Sequence, residues 1–240
     1  MELHISKEKE TLNQELAKYI ADLIAEVLTT KDRFTLVLSG GSTPKQLYQI
    51  LAAEPYKSSI PWQKIHFFWG DERFVPFEDD RNNAKMAFEE LLDKVDVQSS
   101  QIHIMKTEID PEESVLDYTN VLKGYFGDTD FTFDLVLLGM GDDGHTLSLF
   151  PGTEVIKEEK AWVSAFFLKA QDMFRITLTA PLVNRSRSVV FAVTGEGKAN
   201  ALKEVLQGVP NLELYPSQII KPTGELHWFI DAPAAQNLTL

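Results

Sequence analysis

Over residues 11–28 the apolar side chains fall at Leu12, Leu16, Ile20, Leu23, Ile24, Val27 and Leu28. This spacing lays one stripe of an α-helix against a core and leaves the charges outside, so an amphipathic outer helix is predicted. The pattern then changes to short apolar runs without alternation: Phe34-Thr35-Leu36-Val37-Leu38, Ile65-His66-Phe67-Phe68-Trp69, Phe133-Asp134-Leu135-Val136-Leu137-Leu138 and Val189-Val190-Phe191-Ala192-Val193. A strand with one wet face alternates, whereas a continuous apolar run suits a parallel strand covered on both faces. Helix-length patterns separate the runs, over 44–53, 83–95, 111–126 and 198–207. Arg175-Ile176-Thr177-Leu178-Thr179 and Leu226-His227-Trp228-Phe229-Ile230 read as further strands, the second as an edge or last strand. Strands alternating with helices predict an α/β fold: a doubly wound, mostly parallel, Rossmann-like sheet flanked by helices on both faces.

Composition narrows the setting. With 240 residues, 44% of them hydrophobic, the chain can bury one large core, and 1–240 is read as a single domain without repeat, low-complexity tract or linker. The first residues, Met1-Glu2-Leu3-His4-Ile5-Ser6-Lys7-Glu8, lack the apolar segment of a signal peptide, and no apolar run reaches membrane-spanning length, so a cytoplasmic protein is expected. There is no cysteine, which excludes disulfides, thiolate metal sites and a cysteine nucleophile. The net charge of −13 opposes nucleic acid and anionic lipid. The expected partner is a small molecule, bound by a monomer or weak homo-oligomer, and an anionic substrate would need a local basic patch.

In open α/β sheets ligands bind beyond the carboxyl ends of the strands. Four loops in that position join glycine to polar groups: Ser39-Gly40-Gly41-Ser42-Thr43-Pro44, Gly70-Asp71-Glu72-Arg73, Gly139-Met140-Gly141-Asp142-Asp143-Gly144-His145 and Thr194-Gly195-Glu196-Gly197-Lys198. In the first, Gly40 and Gly41 admit close backbone approach, Thr43 can cap the following helix and Pro44 suits its first turn, which makes a cradle for phosphate or equally an ordinary strand-to-helix turn. Lys198 stands where a helix begins, the end at which a cation is disfavoured unless an anion is near; a solvated lysine is the plainer reading. Gly139 to Gly144 formally matches a dinucleotide fingerprint, but two acids occupy the pyrophosphate position and the loop lies far from the chain start, so that reading is rejected. His145 has the better claim, because imidazole can take a proton from water near neutral pH; a capping or core histidine is the alternative. Arg73 and Arg175 offer planar forks for phosphate or carboxylate, or simply pair with nearby acids. His4, His66, His103 and His227 have no polar company pointing to a site and are read as structural or surface residues. No two histidines lie at ligand spacing and no carboxylate cluster has a calcium-loop pattern, so no metal site is expected.

Taken together, the loops resemble the 6-phosphogluconolactonase family, in the wider group that includes glucosamine-6-phosphate deaminase. The resemblance runs from Leu38 to about Asp231 and rests on five ordered segments: 38–44, 71–76 (Asp-Glu-Arg-Phe-Val-Pro), 138–151, 175–179 and 194–198. It implies hydrolysis of 6-phospho-D-glucono-1,5-lactone without metal or cofactor. It further implies that His145 is the general base with Asp143 holding it, that Ser42, Thr43 and Lys198 bind phosphate, and that Gly40, Gly41, Arg73 and Arg175 bind substrate. Asn82-Asn83 departs from the Ser-Asn or Ser-Thr usual there and is left out of the site. Two other functions remain in view. Deaminases of the group carry a glutamate five residues after the motif histidine, where this chain has Phe150, and prefer Asp-Glu-Tyr to Asp71-Glu72-Arg73. A sugar-phosphate sensor domain would need a DNA-binding element, and no basic helix-turn-helix segment precedes Thr11.

Overall fold

A computed structural model describes residues 1–127 and 129–239; residues 128 and 240, within the span read as one domain, lie outside the described residues. In chain order the strands are β1 (Glu2–Ser6), β2 (Phe34–Leu38), β3 (Ile65–Trp69), β4 (Asp71–Arg73), β5 (Ile102–His103), β6 (Leu135–Leu138), β7 (Val163–Leu168), β8 (Met173–Leu178), β9 (Ser188–Val193) and β10 (Glu225–Asp231). The helices are α1 (Lys9–Val27), α2 (Ser42–Leu51), α3 (Tyr56–Ser59), α4 (Asn83–Glu90), α5 (Pro111–Phe126), α6 (Ala180–Val183), α7 (Ala199–Gln207) and α8 (Ala232–Ala235). Seven strands form a wholly parallel sheet in the order β1-β10-β9-β6-β2-β3-β5.

The continuous apolar runs are explained by the two faces of this sheet. Successive strand residues point to opposite sides. Val37, Phe68, Val136, Leu138, Val189 and Phe191 enter one core with Tyr118, Leu122 and Phe126 of α5 and Leu202 of α7. Their neighbours Leu36, Leu38, Phe67, Trp69, Leu135, Leu137 and Val190 enter a second core with Leu12, Leu16 and Ile20 of α1 and Leu47, Tyr48 and Leu51 of α2. Helices therefore cover both faces, as the strand pattern predicts.

Strand order also locates the site. From β2 the chain steps outward to β3 and β5, then returns to lay β6 on the other side of β2 and continues through β9 to β10. Ligand crevices form where the winding direction reverses. That point lies between β2 and β6, whose carboxyl ends lead into the loops at Ser39 and Gly139.

Three expectations are corrected. The segment Gly70-Asp71-Glu72-Arg73, read as a loop, carries strand β4, whereas the run at 226–230 is the last strand, β10, as expected, and lies inside the sheet between β9 and β1, the edge on that side being β1, whose mixed pattern Glu-Leu-His-Ile-Ser hides it from a search for apolar runs. Thr43 does not cap α2, because the cap position is Gly41, whose φ of 109° suits glycine, and Thr43 lies inside the first turn. The pattern over 83–95 is broken: α4 ends at Glu90 and a 3-10 turn follows over Leu92–Lys94. A second sheet, antiparallel in the order β4-β8-β7, is also present. Its short polar strand β4 does not follow the apolar-run pattern.

Candidate active site

A cavity of about 260 Å³ opens at the switch point and is lined by residues of three of the four loops and Lys198 of the fourth. It brings together Gly40, Gly41, Arg73, His145, Arg175 and Lys198. Ser42 is exposed and does not line it. Thr43 is buried, and its hydroxyl shares a 2.8 Å hydrogen bond with that of Thr194, so a phosphate contact would have to replace that bond. Asp143 stands behind His145 rather than in the cavity wall.

The histidine is held by its own loop. The carboxylate Oδ1 of Asp143 accepts from His145 Nδ1 at 2.6 Å and from the His145 backbone N–H at 3.1 Å. Burial pushes the Asp143 carboxyl up, but these hydrogen bonds and the nearby imidazole outweigh it and hold the group below its ordinary value. An ionised carboxylate only accepts, so the imidazole proton sits on Nδ1 and Nε2 keeps its lone pair. Phe150 stacks on the imidazole with centroids 4.1 Å apart, fixing the ring plane. The backbone passes tightly beneath: a Cβ on Gly141 would collide with the imidazole and with Asp143.

The opposite wall is the small antiparallel sheet. Its register sets Arg73 directly opposite Arg175, and Asp71 opposite Thr177. Like charges facing across a ladder repel, so this pairing needs compensation. Asp71, itself buried, supplies part of it: its Oδ2 accepts from Arg175 Nη2 at 2.7 Å and from Ser148 Oγ at 2.7 Å. Burial alone would raise the Asp71 carboxyl, yet the Arg175 and Arg73 charges and these hydrogen bonds keep it below its ordinary value. Arg73 donates from Nη1 to neutral acceptors, the Arg81 carbonyl at 2.8 Å and Asn83 Oδ1 at 3.0 Å, and no carboxylate pairs with it among the described residues. The Nε atoms of both arginines are buried without a partner. Buried guanidinium donors left open are the chemistry of an anion site. Lys198 faces the same cavity and is ion-paired with Asp142.

Two residues set aside or unassigned in the sequence take part. Asn83, read as outside the site, lines the cavity, holds Arg73 and donates from Nδ2 to the Asp71 carbonyl at 3.0 Å. Glu72 is buried beneath the wall and accepts from the backbone N–H groups of Arg73, Asn83 and Ala84 at 2.8–2.9 Å. Burial pushes its carboxyl up to about 7 against those donors. Asn82-Asn83 at the start of an amphipathic segment was the available signal for a capped helix there, and Asn82 does accept from the Lys85 N–H.

The remaining histidines are not without polar company. Tyr125 Oη bridges His103 Nε2 and His66 Nδ1 at 2.7 Å each. His4 and His227 lie together at the other end of the sheet with Glu2 and Glu225. Parallel pairing of two strands 223 residues apart makes that second cluster, which no short-range spacing could reveal.

The chain matches the family described as glucosamine-6-phosphate isomerases/6-phosphogluconolactonase over residues 7–228. It is 40% identical to the 6-phosphogluconolactonase of Synechocystis sp., covering 96% of this chain and 95% of that protein. It is 38% identical to the chloroplastic 6-phosphogluconolactonase 3 of Arabidopsis thaliana, covering 96% of this chain and 73% of that one. Its structure superposes on the crystal structure of 6-phosphogluconolactonase from Thermotoga maritima with a TM-score of 0.84 at 28% identity, over 96% and 99% of the two chains. A monomeric glucosamine-6-phosphate deaminase shares the fold, with a TM-score of 0.85 at 22% identity over 99% and 100% of the two chains. On the strength of its loops, its fold and these matches, the chain belongs to the glucosamine-6-phosphate isomerase/6-phosphogluconolactonase family.

Proposed function

We propose that this protein hydrolyses 6-phospho-D-glucono-1,5-lactone to 6-phospho-D-gluconate in the oxidative pentose phosphate pathway, with His145 as general base. One observation carries the reading: a carboxylate-held imidazole faces a cavity whose other wall offers guanidinium and ammonium groups. Relatives bearing the lactonase name at 40% identity over nearly the whole chain support it.

In this mechanism Nε2 of His145 takes a proton from water and the hydroxide attacks the C1 carbonyl. The imidazolium is stabilised by Asp143. The tetrahedral oxyanion collapses with cleavage of the bond from C1 to the ring oxygen, and the imidazolium returns its proton to that oxygen as it leaves. Backbone N–H groups of the Gly-rich loops supply donors for the oxyanion. The N–H groups of Gly141, Gly144 and Gly195 are engaged by the His145 carbonyl, the Gly141 carbonyl and Asp231 respectively. Those of Gly40 and Gly41 have no acceptor among the described residues. The phosphate is held by Arg73, Arg175 and Lys198, with Asp142 yielding Lys198 to the stronger anion.

Phe150 separates this reading from deamination. The resemblance places a deaminase glutamate at that position, and here an aromatic ring covers the imidazole instead. The test is turnover of freshly generated lactone, corrected for spontaneous hydrolysis, beside glucosamine 6-phosphate. Lactone turnover that survives exhaustive chelation is expected, with no ammonia released. Ammonia release without lactone turnover would replace the assignment by the deaminase.

A further inference from the structure

A second cluster of ligand-type side chains sits at the edge of the large sheet, away from the cavity. Strand periodicity assembles it. Glu2 and His4 are two residues apart on β1 and share a face, as do Glu225, His227 and Phe229 on β10. The parallel register puts Glu2 beside His227 and His4 beside Phe229, so all five point the same way. These are the early residues of their strands, whereas the cavity lies beyond the carboxyl ends.

The donor atoms converge. His4 Nε2 is 3.2 Å from His227 Nδ1, His227 Nδ1 is 3.5 Å from Glu2 Oε2, and His4 Nε2 is 3.9 Å from Glu2 Oε2. Two ligands each about 2.0–2.1 Å from a tetrahedral zinc ion lie about 3.3 Å apart, so this triangle closes on zinc with sub-ångström adjustment. The tautomer is prepared as well. Glu225 Oε2 lies 3.3 Å from His227 Nε2 and accepts its proton, which leaves the Nδ1 lone pair facing the triangle. A carboxylate behind a histidine in this way is the usual support of a metal-bound imidazole.

Packing fixes both rings. Phe229 stacks on His4 with centroids 4.3 Å apart, and Tyr19 of α1 leans on His227 at 4.9 Å while its hydroxyl meets Ser188 Oγ at 3.0 Å. His227 is buried and Glu2 is exposed, so a fourth coordination position opens to solvent.

We propose that Glu2, His4 and His227 form a zinc site with water as the fourth ligand and Glu225 orienting His227. Nitrogen and carboxylate donors in a tetrahedral triangle select zinc over the hard cations magnesium and calcium. The ion clamps the edge strand β1 to β10, stabilising the folded chain by mass action, and takes no part in the chemistry at His145.

Calorimetric titration of the metal-free protein with zinc chloride tests the site, with cobalt(II) absorption as the reporter of geometry. One equivalent bound, a raised melting temperature and the intense visible bands of four-coordinate cobalt are expected. Glu225→Gln should weaken zinc binding about 10–100-fold, and His4→Ala should weaken it further and abolish the cobalt bands. Glu2→Gln, an exposed near-isosteric change, guards against misfolding as the cause. His145→Ala, which removes the other histidine-carboxylate pair, should bind zinc as tightly as wild type. Absence of a bound equivalent, or undiminished affinity in both His4→Ala and Glu2→Gln, would overturn the proposal.

Discussion

β2 runs Phe34-Thr35-Leu36-Val37-Leu38 with every residue buried, while β4 runs Asp71-Glu72-Arg73 with two buried carboxylates. The large sheet owes its stability to apolar area, which is non-directional and tolerates any side chain of similar volume. The small sheet carries charges whose burial is tolerable only with particular partners at particular distances. Asp71 needs Arg175 and Ser148, and Glu72 needs the N–H groups at the start of α4. Apolar burial thus dominates the large sheet, whereas the small sheet joins buried apolar residues such as Ile176 and Leu178 to the charges that carry the recognition chemistry.

The sharpest way to separate the two regions is His145→Ala. Loss of a general base should lower kcat about 10²–10⁴-fold while melting temperature and cavity binding persist. Steady-state kinetics beside a thermal melt decide it, and a folded variant with near-normal kcat would return His145 to a packing role. Phe68→Ala is the opposite experiment. Phe68 is fully buried in the core beside α5, and its truncation should cost about 3–5 kcal/mol in urea unfolding, with the folded fraction keeping wild-type kcat/KM. A large kinetic defect in fully folded protein would dissolve the division between the sheets.

Asp71→Asn should break both properties together. It leaves Arg175 buried without its carboxylate, at a cost of roughly 3 kcal/mol, and disturbs the arginine wall, so KM should rise as well. Unchanged stability would mean that solvent or Gln171 already satisfies Arg175. Lys198→Ala acts on substrate alone. Loss of a charge-assisted hydrogen bond should raise KM for the phosphorylated lactone about ten-fold and leave the unphosphorylated lactone unaffected. An equal ratio of kcat/KM for the two lactones in wild type and variant would show that Lys198 does not read the phosphate.

The smallest effect concerns the few polar groups of the large sheet. Burial, with His66 and Arg33 nearby, pushes the His103 imidazole down to about 4. The unfolded chain then takes up the proton first, so the contribution of neutral His103 is present above the ordinary histidine value of about 6.5 and is lost as pH falls toward 4. His103→Gln should therefore flatten the fall in melting temperature between those two values. Parallel curves for variant and wild type would remove His103 from the acid response.

Much of this was legible along the chain. β2 and β3 occupy the predicted residues, α5 spans the predicted helix, and the segments at Ser39, Gly139 and Thr194 follow strands as the apolar runs imply, whereas Asp71 to Arg73 form strand β4 rather than a loop. Asp143 and His145 are two residues apart, so their pairing was within reach of local reasoning. Asn83 was not, because its role depends on α4 starting where Arg73 can reach it.

Apolar periodicity determined the α/β class, the strands and the loops that would carry chemistry, because burial on one or two faces leaves its mark within a few residues. The pairings between distant segments were decided only by the tertiary structure. Asp71 meets Arg175 across 104 residues, and His4 meets His227 across 223. The interior place of β10 likewise required β1 to cross to the far edge, and the arginine wall required an antiparallel register between β4 and β8. The physical reason is that side-chain spacing encodes which face a residue shows, whereas its partner across a sheet depends on strand order and register, which the crossovers select.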